Sequence, residues 1–221
     1  MLIDLTHVLQ PGIPDWDGCC GFQQYTEDHS GVCVQSLTMP SGIGTHMDAP
    51  KHFIRDGKDI ASIGLEQCAA PAVVIDVQDK MAADYFVSKA DVEQFEQQHG
   101  AIPPKALVFA LTGWGQYWSD PKQYRNENAT GQRCCPGFGL DAIEYLLTKD
   151  IVGIGIDTLS PDGGRVEYPV HHLMLGAGKY IVENVANLDQ LPAVGARVFA
   201  LPLKIKNGAE APCRVIAEVV C

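Results

Sequence analysis

Three stretches of this chain, residues 72–77, 106–111 and 151–156, are apolar at almost every position and rich in Val and Ile. A strand with one wet face alternates polar and apolar residues, whereas continuous apolar runs suit strands covered on both faces. Residues 197–203 and 214–219 carry two further strand signals, and residues 32–37 alternate weakly. Helix signals are fewer. Ser88 to Asp91 has capping-box spacing, and the segment after it sets Val92 and Phe95 on one face before Gly100 ends the pattern. Residues 140–148 place Leu140, Ile143, Leu146 and Leu147 at helical spacing. Strands in the majority with a few helices indicate an α/β or α+β fold. The polar, Pro- and Gly-bearing stretch 119–138 reads as a long surface loop.

The length of 221 residues suits one domain, 1–221, and a hydrophobic fraction of 46% is enough for a sizeable core. With aromatics at 8%, Val, Ile, Leu and Ala must supply most of the packing. A formal net charge of -11 repels phosphate backbones and anionic lipid surfaces, so no nucleic-acid or membrane partner is expected, while the charge says little about a small-molecule substrate, because the local field in a pocket can oppose the global one. The start of the chain lacks the pattern of a signal peptide, and no apolar stretch approaches the roughly 20 residues of a membrane span. Eight cysteines include two adjacent pairs, Cys19-Cys20 and Cys134-Cys135, but no CxxC. They read as reduced thiols in a cytoplasmic protein.

Two constellations carry chemistry. In Gly44-Thr45-His46-Met47-Asp48-Ala49-Pro50-Lys51-His52-Phe53, Pro50 favours an extended chain before it, so His46 and Asp48 face the same side. His52 joins them if the chain stays extended past Pro50. An imidazole and a carboxylate converging from one short segment make half of a Zn²⁺ or Mn²⁺ site. Surface histidines beside a turn explain the same spacing equally well. Gly42 and Gly44 would let the backbone bend sharply or approach a ligand closely. The second constellation begins at Asp157, at the end of the apolar run 151–156, either a site residue or the cap of a turn. His171 and His172 follow, pointing to opposite sides if the chain there is extended. Glu183 then sits in an otherwise apolar run, where a carboxylate requires a cation, a proton or an arginine partner.

Residues 44–53 resemble the signature of the cyclase family of metal-dependent hydrolases, whose members include bacterial kynurenine formamidase and isatin hydrolase. The signature reads His-x-Gly-Thr-His-x-Asp-x-Pro-x-His. Further motifs in the family's order extend the resemblance over nearly the whole chain: Ile3-Asp4-Leu5-Thr6, Gly12 to Trp16, Leu111 to Trp114, Gly155 to Ser160, Pro169-Val170-His171, Glu183-Asn184 and Leu201 to Ile205. The resemblance implies an α/β domain with a mixed sheet and a barrel-like β-core, akin to swivelling β/β/α domains, assembled as a homodimer or homotetramer. It implies one or two Zn²⁺ or Mn²⁺ ions on His46, Asp48, His171 and Glu183, with Asp48 able to bridge two. His52 would be the acid/base, and Trp16 would line the substrate pocket, with Asp157 assigned there as well. The implied reaction is hydrolysis of an amide C–N bond, in an aryl formamide or a cyclic amide, by water activated at the metal.

One position departs from the signature, because its first His falls at Gly42. Three outcomes follow from that: a single ion on the four remaining ligands, two ions with water in place of the imidazole, or a non-catalytic member that only binds a small molecule. The four intact positions favour retained metal. Cys33 and His29 are the candidate substitutes by residue type, although no local spacing brings them to the site.

Overall fold

The computed structural model describes residues 1–219. Cys221 lies outside them, and the other seven cysteines are free thiols. The described residues form strands β1 (Leu2–Asp4), β2 (Gln23–His29), β3 (Val32–Thr38), β4 (His46–Asp48), β5 (Ala69–Asp76), β6 (Phe86–Val87), β7 (Leu107–Leu111), β8 (Gly137–Phe138), β9 (Gly153–Ile156), β10 (Tyr180–Glu183), β11 (Ala196–Pro202) and β12 (Glu210–Val219). Helices α1 (Leu65–Cys68), α2 (Lys89–His99), α3 (Pro121–Arg125), α4 (Leu140–Leu147) and α5 (Pro169–Gly176) are interspersed.

One sheet runs in the order β1-β12-β11-β5-β7-β9-β10-β4, and β4 pairs again with β12. Seven strands therefore close on themselves, with β1 attached outside the ring. The strands β5, β7, β9 and β10 are parallel neighbours, while β4, β11 and β12 join antiparallel. This is the mixed sheet with a barrel-like core that the family resemblance implied. Parallel neighbours need crossover connections, and α2, α4 and α5 lie in the connections between them.

Both faces of the parallel strands are dry, which explains their lack of alternation. Ala72, Val74, Leu107, Phe109 and Val182 share the core inside the barrel with Val198, Val215 and Ala217. Their neighbours Val73, Ile75, Val108, Ala110, Ile154 and Ile181 pack against Val92 and Phe95 of α2, Ile143 and Leu146 of α4, and Val170 and Met174 of α5. Helix α2 begins and ends where the sequence indicated. Ser88 and Asp91 cap each other's backbone N–H, and Gly100 leaves the helix at φ +89°.

The strand expected at 32–37 is present but lies apart from the barrel, and one expectation needs correction. Strands β2 and β3 make a separate two-stranded ribbon in which every residue is exposed. Their weak alternation reflects the lack of any core-facing side. The stretch 119–138 is not simply a surface loop. Asp120 caps α3, Pro121 occupies its first turn, and this short helix turns Tyr124 fully inward. The Tyr124 hydroxyl lies 2.9 Å from both Asp157 O and Asn184 Oδ1, under the site.

Candidate metal centre

The centre is built where the barrel closes. Strand β4 lies between β10 and β12, with His46 opposite Glu183 on one side and Asp48 opposite Glu210 on the other. Cross-strand partners share a face of the sheet, so three neighbouring strands present polar side chains together. Helix α5 adds His171 from its first turn. The sequence reading had His171 in an extended chain, with His172 on the other side. Pro169 instead opens a helix here, in which His171 is buried and His172 exposed.

Both buried imidazoles are aimed in the same way. His46 Nδ1 donates to Gly44 O at 2.9 Å, and His171 Nδ1 donates to Asp162 Oδ2 at 2.6 Å. These acceptors hold a proton on each Nδ1 and turn each Nε2 to the carboxylates, where it can take a second proton or bind a cation. His46 Nε2 lies 3.4 Å from Asp48 Oδ1 and 3.4 Å from Glu183 Oε2. His171 Nε2 lies 3.5 Å from Asp48 Oδ2 and 3.3 Å from Glu183 Oε1. Both Asp48 oxygens are buried and accept no hydrogen bond. A carboxylate that is 1% exposed and without a donor costs several kcal/mol unless a cation faces it. Donor atoms of Asp48, His171 and Glu183 lie within 4.8 Å of one another, as do those of His46, Asp48 and Glu210. This nitrogen and oxygen donor set fits a divalent ion such as Zn²⁺ or Mn²⁺.

The electrostatics agree with that fit. Burial alone would lower the pKa of His46 and His171, but the surrounding carboxylates outweigh it and raise both. Burial, together with the Asp48 charge, pushes Glu183 up to about 7 against the pull of the imidazoles. For Asp48 the burial penalty is overcome by His171 and His46, and its pKa falls. This cluster of carboxylates thus favours positive charge at its centre.

A cavity of about 370 Å³ opens over the centre. His46, Asp48, His171 and Glu183 form its floor, while Trp16, Phe53 and Tyr168 wall it with aromatic surface. The Arg133 guanidinium stacks 3.7 Å over the Trp16 ring. His52 also borders the cavity, but not from an extended strand, since Pro50–His52 is one 3-10 turn. Its Nε2 lies 3.7 Å from Glu210 Oε1. Asp157 is not part of the lining. Its carboxylate instead accepts from Thr112 N, Thr112 Oγ1 and Gly113 N at 3.1, 2.6 and 2.9 Å, holding the turn that follows β7. The assignment to substrate binding is corrected accordingly, because this carboxylate is committed to a neighbouring strand's turn.

Three contributors were given no role from the sequence. Asp162 orients His171 from the preceding turn and also accepts from Val170 N at 2.8 Å. Asn184 donates to Gly44 O at 2.9 Å, which fixes the carbonyl that holds His46. Gly44 itself sits at φ +62°, where a β-carbon would also collide with Leu9. The third is Glu210, near the far end of the chain. Its only sequence signal is a charge at the start of a strand, and the β12–β4 register that makes it matter cannot be read locally. Cys33 and His29, by contrast, lie on the exposed ribbon.

A closed mixed barrel with buried imidazoles and carboxylates at its seam, under an aromatic-walled cavity, defines a small-molecule site of the metal-centre type. Residues 3–163 match the family model described as putative cyclase, and the chain belongs to that family. It is 38% identical to isatin hydrolase from Roseibium aggregatum over 89% of this chain and 78% of that one. It is 28% identical to kynurenine formamidase from Bacillus cereus over 99% and 97%. Isatin hydrolase A from Ralstonia solanacearum superposes with a TM-score of 0.94 at 32% identity, covering 100% of this chain and 92% of the other. A protein from Bacillus stearothermophilus described as a predicted metal-dependent hydrolase superposes with a TM-score of 0.74 at 25% identity, covering 98% and 97%.

Proposed function

We propose that this chain is a metal-dependent amidohydrolase that cleaves a C–N bond in a small aromatic amide. His46, Asp48, His171 and Glu183 hold one or two Zn²⁺ or Mn²⁺ ions. The observation that carries this reading is the pair of buried Asp48 oxygens, one 3.4 Å from His46 Nε2 and the other 3.5 Å from His171 Nε2. When bound, such an ion polarises a carbonyl and makes water nucleophilic near neutral pH. The protein's own residues do the rest. Asp162 and the Gly44 carbonyl fix the two rings, so that the ligand atoms are set before an ion arrives. Trp16, Phe53 and Tyr168 offer flat apolar walls to an aromatic substrate and exclude water around it. His52, at the cavity edge, takes the proton from the attacking water and returns it to the leaving nitrogen.

Between the two amide types, the likeness to isatin hydrolases in sequence and in structure supports a cyclic amide fused to an aromatic ring over an open aryl formamide. Self-assembly into a homodimer or homotetramer is supported by the β2–β3 ribbon, which exposes Tyr25, Val32, Val34 and Leu37. Among the described residues no helix is long and apolar enough to cross a membrane, and a cytoplasmic setting is proposed from the free thiols.

The test is elemental analysis of protein purified without chelator, followed by assay against isatin and N-formyl anilines with added Zn²⁺ or Mn²⁺. Stoichiometric metal and turnover of either substrate class support the proposal. Metal-loaded protein that turns over neither class would restore the non-catalytic reading that Gly42 first suggested.

A further inference from the structure

Gly42 and Glu210 lie in contact in space although 168 positions separate them in the chain. A β-carbon placed on Gly42 would collide with Glu210 Oε1, and would lie 3.2 Å from its Cδ and 3.4 Å from His46 Nε2. The volume that a larger residue at position 42 would need is thus filled by the Glu210 carboxylate. That carboxylate is placed by register, since Glu210 pairs with Asp48 across the β12–β4 seam. It is steadied by the Ser41 hydroxyl, which donates to Oε2 at 3.0 Å. Its donor atom lies within 4.8 Å of those of His46 and Asp48. A second, independent feature points to a cation at this spot. Asp48 is 1% exposed, and neither of its oxygens has a hydrogen-bond donor. One of those oxygens, Oδ1, faces His46 Nε2 on this side of the centre.

We infer that Glu210 is a metal ligand, forming with His46 and Asp48 a second divalent-cation position next to the one made by Asp48, His171 and Glu183. This inference rests on the metal reading above and adds a residue to it. Absence of a side chain at position 42 is then the condition for Glu210 to enter, not the loss of a ligand. The donor set has a chemical consequence. Two carboxylates and one imidazole form a harder set than the two imidazoles and one carboxylate that a His at position 42 would give, so the second position should tolerate Mn²⁺ better relative to Zn²⁺ than it would with that His.

The experiment is a titration of metal-free protein with Mn²⁺, read by the paramagnetic resonance signal of the free ion, with Zn²⁺ competition on the same samples. Wild type, Glu210→Ala, Glu210→Gln, Gly42→His, the double variant Gly42→His/Glu210→Ala, and Asp48→Ala are compared. Wild type should bind two equivalents. Glu210→Ala and Glu210→Gln should each keep one and weaken the other by more than the roughly 10–100-fold that follows loss of an outer partner. Glu210→Gln keeps the length of the side chain and an oxygen for Ser41, so a loss there reflects the charge and not a disturbed strand. Gly42→His alone should not improve binding, because its side chain meets Glu210. The double variant should recover the second equivalent, with the Zn²⁺-to-Mn²⁺ preference moved toward Zn²⁺. A single equivalent in wild type, or two equivalents with unchanged affinity in both Glu210 variants, would overturn the role of Glu210 while leaving the metal reading in place. No binding by wild type, with Asp48→Ala indistinguishable from it, would overturn both.

Discussion

The two sides of Asp48 are built differently. On the His171 side every group has backing. Asp162 is fully buried and holds the imidazole, Glu183 lies within β10, and the Tyr124 hydroxyl sits on Asn184 behind it. On the His46 side the imidazole is held by a backbone carbonyl, and the neighbouring carboxylate, Glu210, keeps 21% of its side chain exposed and leans on the exposed Ser41. The first side is a preformed socket. Both sides border the cavity, but His171 is packed against Phe53 and Tyr168, whereas Glu210 on the His46 side stays partly open to solvent. Under the proposed function, the backed side would hold an ion more rigidly than the side that carries Glu210. Variants should therefore divide by side.

Asp48 belongs to both sides and should give the largest effect. Asp48→Ala is expected to remove stoichiometric metal altogether and to reduce turnover to background, measured by elemental analysis and by amide hydrolysis on the same preparation. Retention of a full equivalent would mean that the two sides do not meet at this residue. His52→Ala comes next. His52 lies at the cavity edge between His171 and Glu210 and is not one of the proposed ligands, so metal content should be unchanged while kcat falls by roughly 10²–10⁴, the range for a lost acid/base. If metal were lost while the residual protein turned over normally, His52 would be part of the ion's cage and not a proton carrier.

Smaller effects sharpen the contrast. Asp162→Asn keeps the shape of the group behind His171 but weakens its hold on Nδ1, and should reduce metal affinity by roughly 10–100-fold. Ser41→Ala removes the corresponding support on the open side. Because Ser41 is exposed and Glu210 has solvent available, its cost should stay below about threefold, less than the ~1 kcal/mol of an ordinary hydrogen bond. Isothermal titration with the same ion compares the two directly. Equal losses would erase the distinction between socket and rim.

How much of this was legible in the sequence follows the range of the interactions involved. The dry strands β5, β7 and β9 announced themselves because burial on both faces removes alternation from the residues themselves. Helix α2 was bounded by its own Ser88, Asp91 and Gly100. His46 and Asp48 were paired by the two-residue period of an extended chain. What failed depended on contacts between distant segments. Asp157 reads as a site carboxylate at the end of a strand, yet it is spent on the Thr112–Gly113 turn one strand away. Tyr124 sits in a stretch polar enough to pass for surface, and only the packing of α3 against the barrel turns it inward. Glu210 becomes a neighbour of Asp48 only when the barrel closes between β12 and β4. The histidine pair 171–172 misled for a local reason: Pro169 is compatible both with an extended chain and with the first turn of a helix.

The pH dependence of stability reads the buried charges directly. In the metal-free protein the carboxylates raise the folded-state pKa of His46 and His171 above that of an unfolded histidine. Their contribution to stability is therefore fully present below about pH 6.5 and is lost as pH rises through the raised values. Glu183, at about 7 in the fold, acts in the same direction between its unfolded value and neutrality, because the folded state binds the extra proton. Asp48 is shifted downward and adds nothing in this window. Metal-free protein should thus lose thermal stability from pH 6.5 upward, by about 3–5 °C per pH unit for each proton given up. A bound ion reverses the sign. It needs both Nε2 lone pairs, so protons compete with it, and its stabilising effect grows as pH rises. Thermal melts across pH 6 to 9 with and without saturating Mn²⁺ should diverge, falling in one series and rising in the other. Parallel curves would show that the imidazoles do not exchange protons for the ion, and that the protonated cluster is itself the resting form of the site.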